Sequence, residues 1–339
     1  MSTTIATTLE PANEGLFTRE MVLLRFLSNL LPFASSRSDR LSILIYHRVL
    51  ERPDPMYADV IDAAAFRWQM DVLANHFNVL PLSVAVSLME KRRLPPRAAC
   101  VTFDDGYADN VHVALPILRE RGISATFFIA TGFLDGGQMW NDMVFEAVRR
   151  MPGESLDLAD LYLGGYSLDS IASRVTAAEA LVDRLKYLPP AERLLNCQEL
   201  ARRAGLPASS DLMMRSTDVR RLVAEGMEVG GHTINHPILA VLDPATARRE
   251  IADNRDQLAA LIDGPVRVFA YPNGKPGQDY LPEHVEMVRE LGYRAAVSTR
   301  WGLCTGQSHR WQLPRFTPWD ANPVRWLARM LQNTQRRPG

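Results

Sequence analysis

The chain has 339 residues, 47% hydrophobic and 23% charged, with a formal net charge of −1. This is ordinary for a globular protein and long enough for one large α/β domain or two smaller ones. The near-neutral balance offers no footprint for nucleic acid, and none is expected as a partner. Cys100, Cys197 and Cys304 are widely spaced, odd in number and free of any CxxC pattern, so they read as reduced residues of a reducing compartment.

Residues 1–20 are polar, carry Glu10, Glu14 and Glu20, and lack the basic n-region of a cleavable signal; they read as disordered. The apolar run 21–33 is too short to span a bilayer and is broken by Pro32. Leu23, Phe26, Leu27 and Leu30 share one helical face, which suits either packing on the domain or peripheral contact with a membrane surface. The expected organisation is therefore an N-terminal extension over 1–40, a domain over 41–325 and a C-terminal tail over 326–339.

Within the domain, Ile43–His47 reads as a strand, Phe66–Phe77 and Leu82–Glu90 as helices, and Ala98–Phe103 as a buried strand. A helix over 111–121 must accommodate Pro116, and Thr126–Ala130 is the next strand. Residues from about 155 to 215 are rich in Leu, Ala, Arg and Glu and predict a helical insertion. Alternation resumes with helices over Asp218–Ala224, Ala245–Ile262 and Pro282–Leu291. Strands over Met227–Val229, Val266–Tyr271 and Ala295–Ser298 interleave with them. Repeated strand–helix alternation predicts parallel βα units, and in a parallel barrel active groups lie on the loops after strand C-termini.

Three motifs fall at such positions. Asp104 and Asp105 end the run Val101-Thr102-Phe103-Asp104-Asp105-Gly106-Tyr107. Packing alone gives no reason for two adjacent carboxylates at a strand tip, although a turn or helix cap with a solvated neighbour is the bland alternative. Gly230-Gly231-His232-Thr233-Ile234-Asn235-His236-Pro237 sets two histidines four apart, aligned if the segment makes one helical turn that stops before Pro237. Pro272-Asn273-Gly274 forms a turn after the Val266–Tyr271 strand. Two histidines and one carboxylate can hold a divalent metal and leave coordination positions open, while a second carboxylate off the metal can take a proton from water.

The segments Thr102-Phe103-Asp104-Asp105-Gly106-Tyr107 and His232-Thr233-Ile234-Asn235-His236-Pro237 resemble the first two motifs of the polysaccharide deacetylase family, also called NodB-homology or carbohydrate esterase family 4. The likeness covers about residues 40–320. It is strongest to the branch acting on exopolysaccharide or poly-N-acetylglucosamine, through Tyr46-His47-Arg48-Val49 and Phe269-Ala270-Tyr271-Pro272-Asn273-Gly274. The resemblance implies a distorted TIM-like (β/α) barrel and removal of acetyl groups, most often N-acetyl, from a polysaccharide or glycan precursor. It implies Asp104 as general base, Asp105, His232 and His236 as metal ligands, zinc as the usual metal, and the Asn273 backbone N–H as oxyanion donor.

The chain also departs from that family's pattern. Ala270 stands where the family carries an arginine that steadies the catalytic aspartate. The fourth-motif acid is missing from Ala295–Trp301, and Trp311–Phe316 lacks the fifth-motif histidine that serves as general acid. Arg315 is the candidate replacement for the arginine, against a surface ion pair. His47, at the end of an early strand, is the candidate acid or orienting group, against a buried structural imidazole. Tyr107, Trp140, Tyr271, Trp301 and Trp319 lie on or near predicted loops as candidate sugar platforms, and Asp142 is a candidate rim residue. An acetylated glycan is the expected partner and the cytoplasm the expected location, with the inner membrane face open through residues 21–33. The rival readings are hydrolysis of another non-peptide C–N amide and an inactive glycan-binding relative.

Overall fold

The computed structural model describes residues 39–207, 209–317 and 322–335. In chain order the strands are β1 (Arg40–Tyr46), β2 (Asn78–Val79), β3 (Ala98–Phe103), β4 (Thr126–Ile129), β5 (Ser155–Leu158) and β6 (Gly164–Ser167). They continue with β7 (Glu228–Gly231), β8 (Val268–Ala270), β9 (Ala295–Trp301), β10 (Cys304–Thr305) and β11 (Leu313–Arg315). The path β1-β3-β4-β7-β8-β9-β11 is parallel at every step. Phe316 brings its end back to β1 through a parallel bridge with Leu44. Its N–H and C=O bond Ile43 O and Ile45 N. The alternation predicts the parallel βα units, and the result is the nearly closed, distorted TIM-like (β/α) barrel that the resemblance implies. β10 runs antiparallel on β1, and β2 adds a short edge to β3.

The strands are apolar because both faces are covered. Every residue of β3 and β4 is buried. Phe103 stacks on Phe127 with ring centroids 4.8 Å apart, and Tyr46 packs on both Phe66 and Phe103. Each such fully buried side chain contributes roughly 1.5–3 kcal/mol of transfer free energy. Gly230 is required by close packing, since a Cβ there would strike the Phe128 ring.

Two local expectations change. The 111–121 helix begins as a π-turn over Asn110–Ala114 and becomes α-helical only over Leu115–Glu120, so Pro116 sits at the junction, in the first turn of the α-helical part. The insertion is not helical throughout. It opens with the antiparallel hairpin β5–β6 before the helices Ile171–Leu185 and Pro190–Arg203. With helix Trp140–Arg150 it forms its own core, including Val144, Ala147, Leu181 and Leu200. Residues 326–335, read from the sequence as a tail, belong to the helix Pro323–Gln335, whose Trp326, Leu327 and Met330 are buried in the barrel core. Residues 21–33 and Trp319 lie outside the described residues. Among the described residues no helix is long and apolar enough to cross a membrane.

Candidate active site

The end of β3 divides the two carboxylates. Asp104 keeps its backbone in the sheet, donating its N–H to Tyr46 O at 3.0 Å. Its side chain meets Arg315 from β11: Nη1 donates to Oδ1 and Nη2 to Oδ2, both at 2.7 Å. Arg315 is itself 1% exposed and donates through Nε to Ser298 O and through Nη1 to Thr102 Oγ1. This two-pronged pairing holds a carboxylate in one orientation. Burial opposes the charge on Asp104, but Arg315, with His232 and His47 nearby, holds the carboxyl below its ordinary range. The positive charge absent at Ala270 is thus supplied from 45 residues further along the chain. Ala270 contributes its carbonyl instead.

Asp105 turns the chain away. Its φ of +78° and that of Gly106, +94°, are left-handed, a strained setting for a non-glycine residue that persists where surrounding structure fixes it. The turn points Asp105 Oδ1 at His232 Nε2 (3.3 Å) and His236 Nε2 (3.4 Å). His232 Nδ1 lies 2.7 Å from Ala270 O and donates to it, leaving Nε2 as the free lone pair. The HxxxH segment reaches this arrangement without the expected helical turn. Thr233 (φ +62°) and His236 (φ +50°) are left-handed, and the chain bends rather than coils.

These three groups fit a divalent metal. One ligand atom from each of Asp105, His232 and His236 lies within 4.8 Å of the others. Among the described residues Asp105 Oδ1 is buried with no hydrogen-bond donor, which leaves a costly unmatched acceptor unless a cation is bound. Burial opposes ionisation of Asp105, but the two imidazoles and His47 drive its pKa well down. Burial likewise pushes His236 down to about 4, so its imidazole is neutral, as a ligand must be. For His232 burial acts in the same direction but is outweighed by Asp105 and Asp104, and its pKa is raised.

His47 follows the last residue of β1, is exposed, and lies close enough to Asp104, Asp105 and His236 to influence their charge. It is therefore not the buried structural imidazole of the bland reading. The segment carrying it is clamped: Asn110 Nδ2 donates to His47 O at 2.8 Å, Arg48 Nε to Asp109 Oδ2 at 2.8 Å, and Val49 N to Asp109 Oδ1 at 3.2 Å. Asp109 and Asn110 stand where the π-turn starts, so the bulge aims them at β1. On the third motif, Asn273 has φ +57°, Thr299 Oγ1 donates to its carbonyl at 2.8 Å, and its N–H has no bonding partner among the described residues.

The aromatic expectations need correction. Tyr271 is fully buried, stacked on Tyr280 at 3.8 Å with its hydroxyl donating to Trp311 O, so no face meets a sugar. Tyr107 and Asp142 are each 3% exposed and belong to the wall behind the site, where the Tyr107 hydroxyl donates to Asp142 Oδ1 at 3.2 Å. Trp140 is half-buried with the Arg193 guanidinium over its ring. Trp301 is 42% exposed at the end of β9, adjacent to Arg315 across the strand pair, with its ring tilted against Phe316 at 5.5 Å. Predicting loops rather than strand ends misplaced the buried members, because an aromatic next to a motif can equally be the core residue that supports it.

The family model for polysaccharide deacetylase matches residues 91–157 and 201–296, leaving out residues 1–90, much of the insertion and everything after the second residue of β9, including Arg315. The Bacillus subtilis (strain 168) protein YxkH, named for the same family, is 20% identical over 277 residues, 81% of this chain and 70% of that protein. Among solved structures, the Streptococcus pyogenes deacetylase PplD in complex with acetate aligns with TM-score 0.59 at 17% identity, covering 88% of this chain and 100% of that one. IcaB from Ammonifex degensii aligns with TM-score 0.57 at 20% identity, over 88% and 99% of the two chains. At these identities the structural likenesses show a shared fold. The chain belongs to the polysaccharide deacetylase family and is a deacetylase-type hydrolase.

Proposed function

We propose that this protein removes N-acetyl groups from amino sugars of a polysaccharide or glycan precursor in a metal-dependent hydrolysis. The observation that carries the reading is the division of labour at the end of β3. Asp105 converges with His232 and His236, while Asp104, one residue away, is held off that cluster by Arg315. A divalent ion, zinc being the family's usual metal, would supply Lewis-acid polarisation of the acetyl carbonyl and a lower pKa for water. Asp104, kept ionised, takes a proton from the attacking water, whose oxygen bonds to the carbonyl carbon. The Asn273 N–H donates to the oxyanion that develops. The C–N bond then breaks as His47 gives a proton to the departing nitrogen, yielding acetate and a free amine. Trp301, 42% exposed at the end of β9, is the aromatic side chain we assign to the sugar. An acetylated glycan is the substrate, and the protein works in the cytoplasm or on the inner membrane face.

Acetate release from N-acetylglucosamine oligosaccharides, with and without a chelator, tests this. Wild type is expected to release acetate, to stop on chelation and to recover with Zn2+. The acid role predicts a loss of about 10²-fold or more for His47→Ala. Ammonia or a ring-opened product in place of acetate would favour another amide substrate, and near-normal turnover would remove His47 from the mechanism.

A further inference from the structure

The metal-binding loop of His232 to His236 has no regular secondary structure and includes two left-handed non-glycine residues, so something outside it must hold it. The helix Pro244–Ile262 does so with two side chains one turn apart. Asn254 is fully buried and uses its whole amide. Oδ1 accepts the His232 N–H at 3.0 Å. Nδ2 faces Thr233 O at 2.6 Å, Ile129 O at 3.0 Å and Thr131 Oγ1 at 3.1 Å. Glu250 accepts the Ile234 and Asn235 N–H groups on Oε2, each at 2.9 Å, and the Asn235 side-chain amide on Oε1 at 2.7 Å.

The same helix reaches the third ligand. Ile129 and Thr131, bonded to Asn254, flank Ala130, whose N–H donates to Asp105 O at 3.2 Å. Gly132 N–H donates to Ile234 O at 2.9 Å. The Asp105 turn, the end of β4 and the His232 loop are therefore joined through one buried amide. Gly231 makes room for it, since a Cβ there would meet Asn254 Oδ1 at 2.8 Å and run into the Tyr293 hydroxyl.

We propose that Asn254 is the positioning residue of the metal centre, fixing His232 and, through Ala130, Asp105 in ligating register, with Glu250 holding the stretch that leads to His236. This rests on Asp105, His232 and His236 being the metal ligands. Neither side chain touches the reacting atoms. Both act mainly through backbone groups, which is why neither belongs to the short motifs.

The test is Zn2+ affinity by competition titration, together with the visible absorption of the Co2+-loaded protein, on wild type, Asn254→Asp and Glu250→Ala. Asn254→Asp keeps the shape and the acceptor toward His232 but replaces the donor by a second acceptor. Thermal melts of the metal-free proteins report folding separately. The expected result is Zn2+ binding about 10- to 100-fold weaker in Asn254→Asp, the usual effect of removing a group that orients metal ligands, and an altered Co2+ spectrum. A smaller weakening is expected in Glu250→Ala. Metal affinity within twofold of wild type and an unchanged Co2+ spectrum, whatever the melts show, would overturn the proposal. Should Asn254→Asp not fold, Glu250→Ala decides alone by the same two readouts. Wild type that binds neither ion would instead remove the metal centre itself.

Discussion

The mouth of the barrel and the insertion handle charge in opposite ways. At the mouth, Asp104, Asp105, His232, Asn254 and Arg315 are all at most 6% exposed; directional bonds join Arg315 to Asp104 and Asn254 to His232, and Asp105 faces the two imidazoles. In the insertion, Arg202, Arg203, Glu199 and Asp160 pair at the surface, over a core of Leu, Val and Ala. Exposed pairs of that kind are screened by solvent and contribute little to stability. Buried ones fix orientation and protonation, at a desolvation cost that only a complete set of partners offsets. The contrast marks the mouth as the place where charge is arranged for chemistry and the insertion as a packing unit with a solvated face.

The largest expected effect comes from breaking the Arg315–Asp104 pair. Arg315→Ala leaves a buried carboxylate without its counter-charge and is expected to lower stability by about 3–5 kcal/mol, read from denaturant midpoints. With the guanidinium gone, burial raises the Asp104 pKa, so the base is protonated over more of the pH range and the acidic limb of the rate profile moves to higher pH. A normal rate and an unshifted profile would show that Arg315 does not tune the base.

A smaller effect tests the joint between the two regions. Helix Trp140–Arg150 buries Val144, Ala147 and Val148 in the insertion core but turns Asp142 toward Tyr107 and Arg48. Burial, reinforced by Asp105 and Glu146, pushes Asp142 up to about 7, and Asp142 Oδ2 has no hydrogen-bond partner among the described residues. The unfolded chain releases this proton near pH 3.9, so the contribution to stability is full below about pH 4 and is lost as pH rises through about 7. Asp142→Asn does not suffer that loss. Its denaturation midpoint relative to wild type should therefore rise between pH 5 and pH 8, and a constant difference would contradict the assignment.

The two regions also differ in how far the sequence discloses them. The strands before Asp104, His232 and Pro272 are legible because buried parallel strands read as short apolar runs, and the motif residues follow them directly. Arg315 is legible only indirectly, as a missing charge at Ala270 that some cation elsewhere must replace. Three features lack a local signal. The HxxxH bend depends on Glu250 and Asn254, whose spacing on an ordinary amphipathic helix marks nothing. The π-turn at Asn110 looks like plain helix. Tyr271 beside a motif looks like a rim residue until its stacking on Tyr280 is seen. In the insertion, the Leu- and Ala-rich composition announces the helices but hides the β5–β6 hairpin, whose second strand starts at Gly164-Gly165 with no strand propensity.

The assignment of separate roles to adjacent carboxylates is tested most directly by Asp104→Asn, measured for bound Zn2+ and for acetate release from N-acetylglucosamine oligosaccharides. The variant is expected to bind added Zn2+ as wild type does, because Asp105, His232 and His236 are untouched, and to lose about 10²–10⁴-fold in rate, the range for a removed general base. Zinc retained with turnover within a few-fold of wild type would contradict the role of Asp104 as the base.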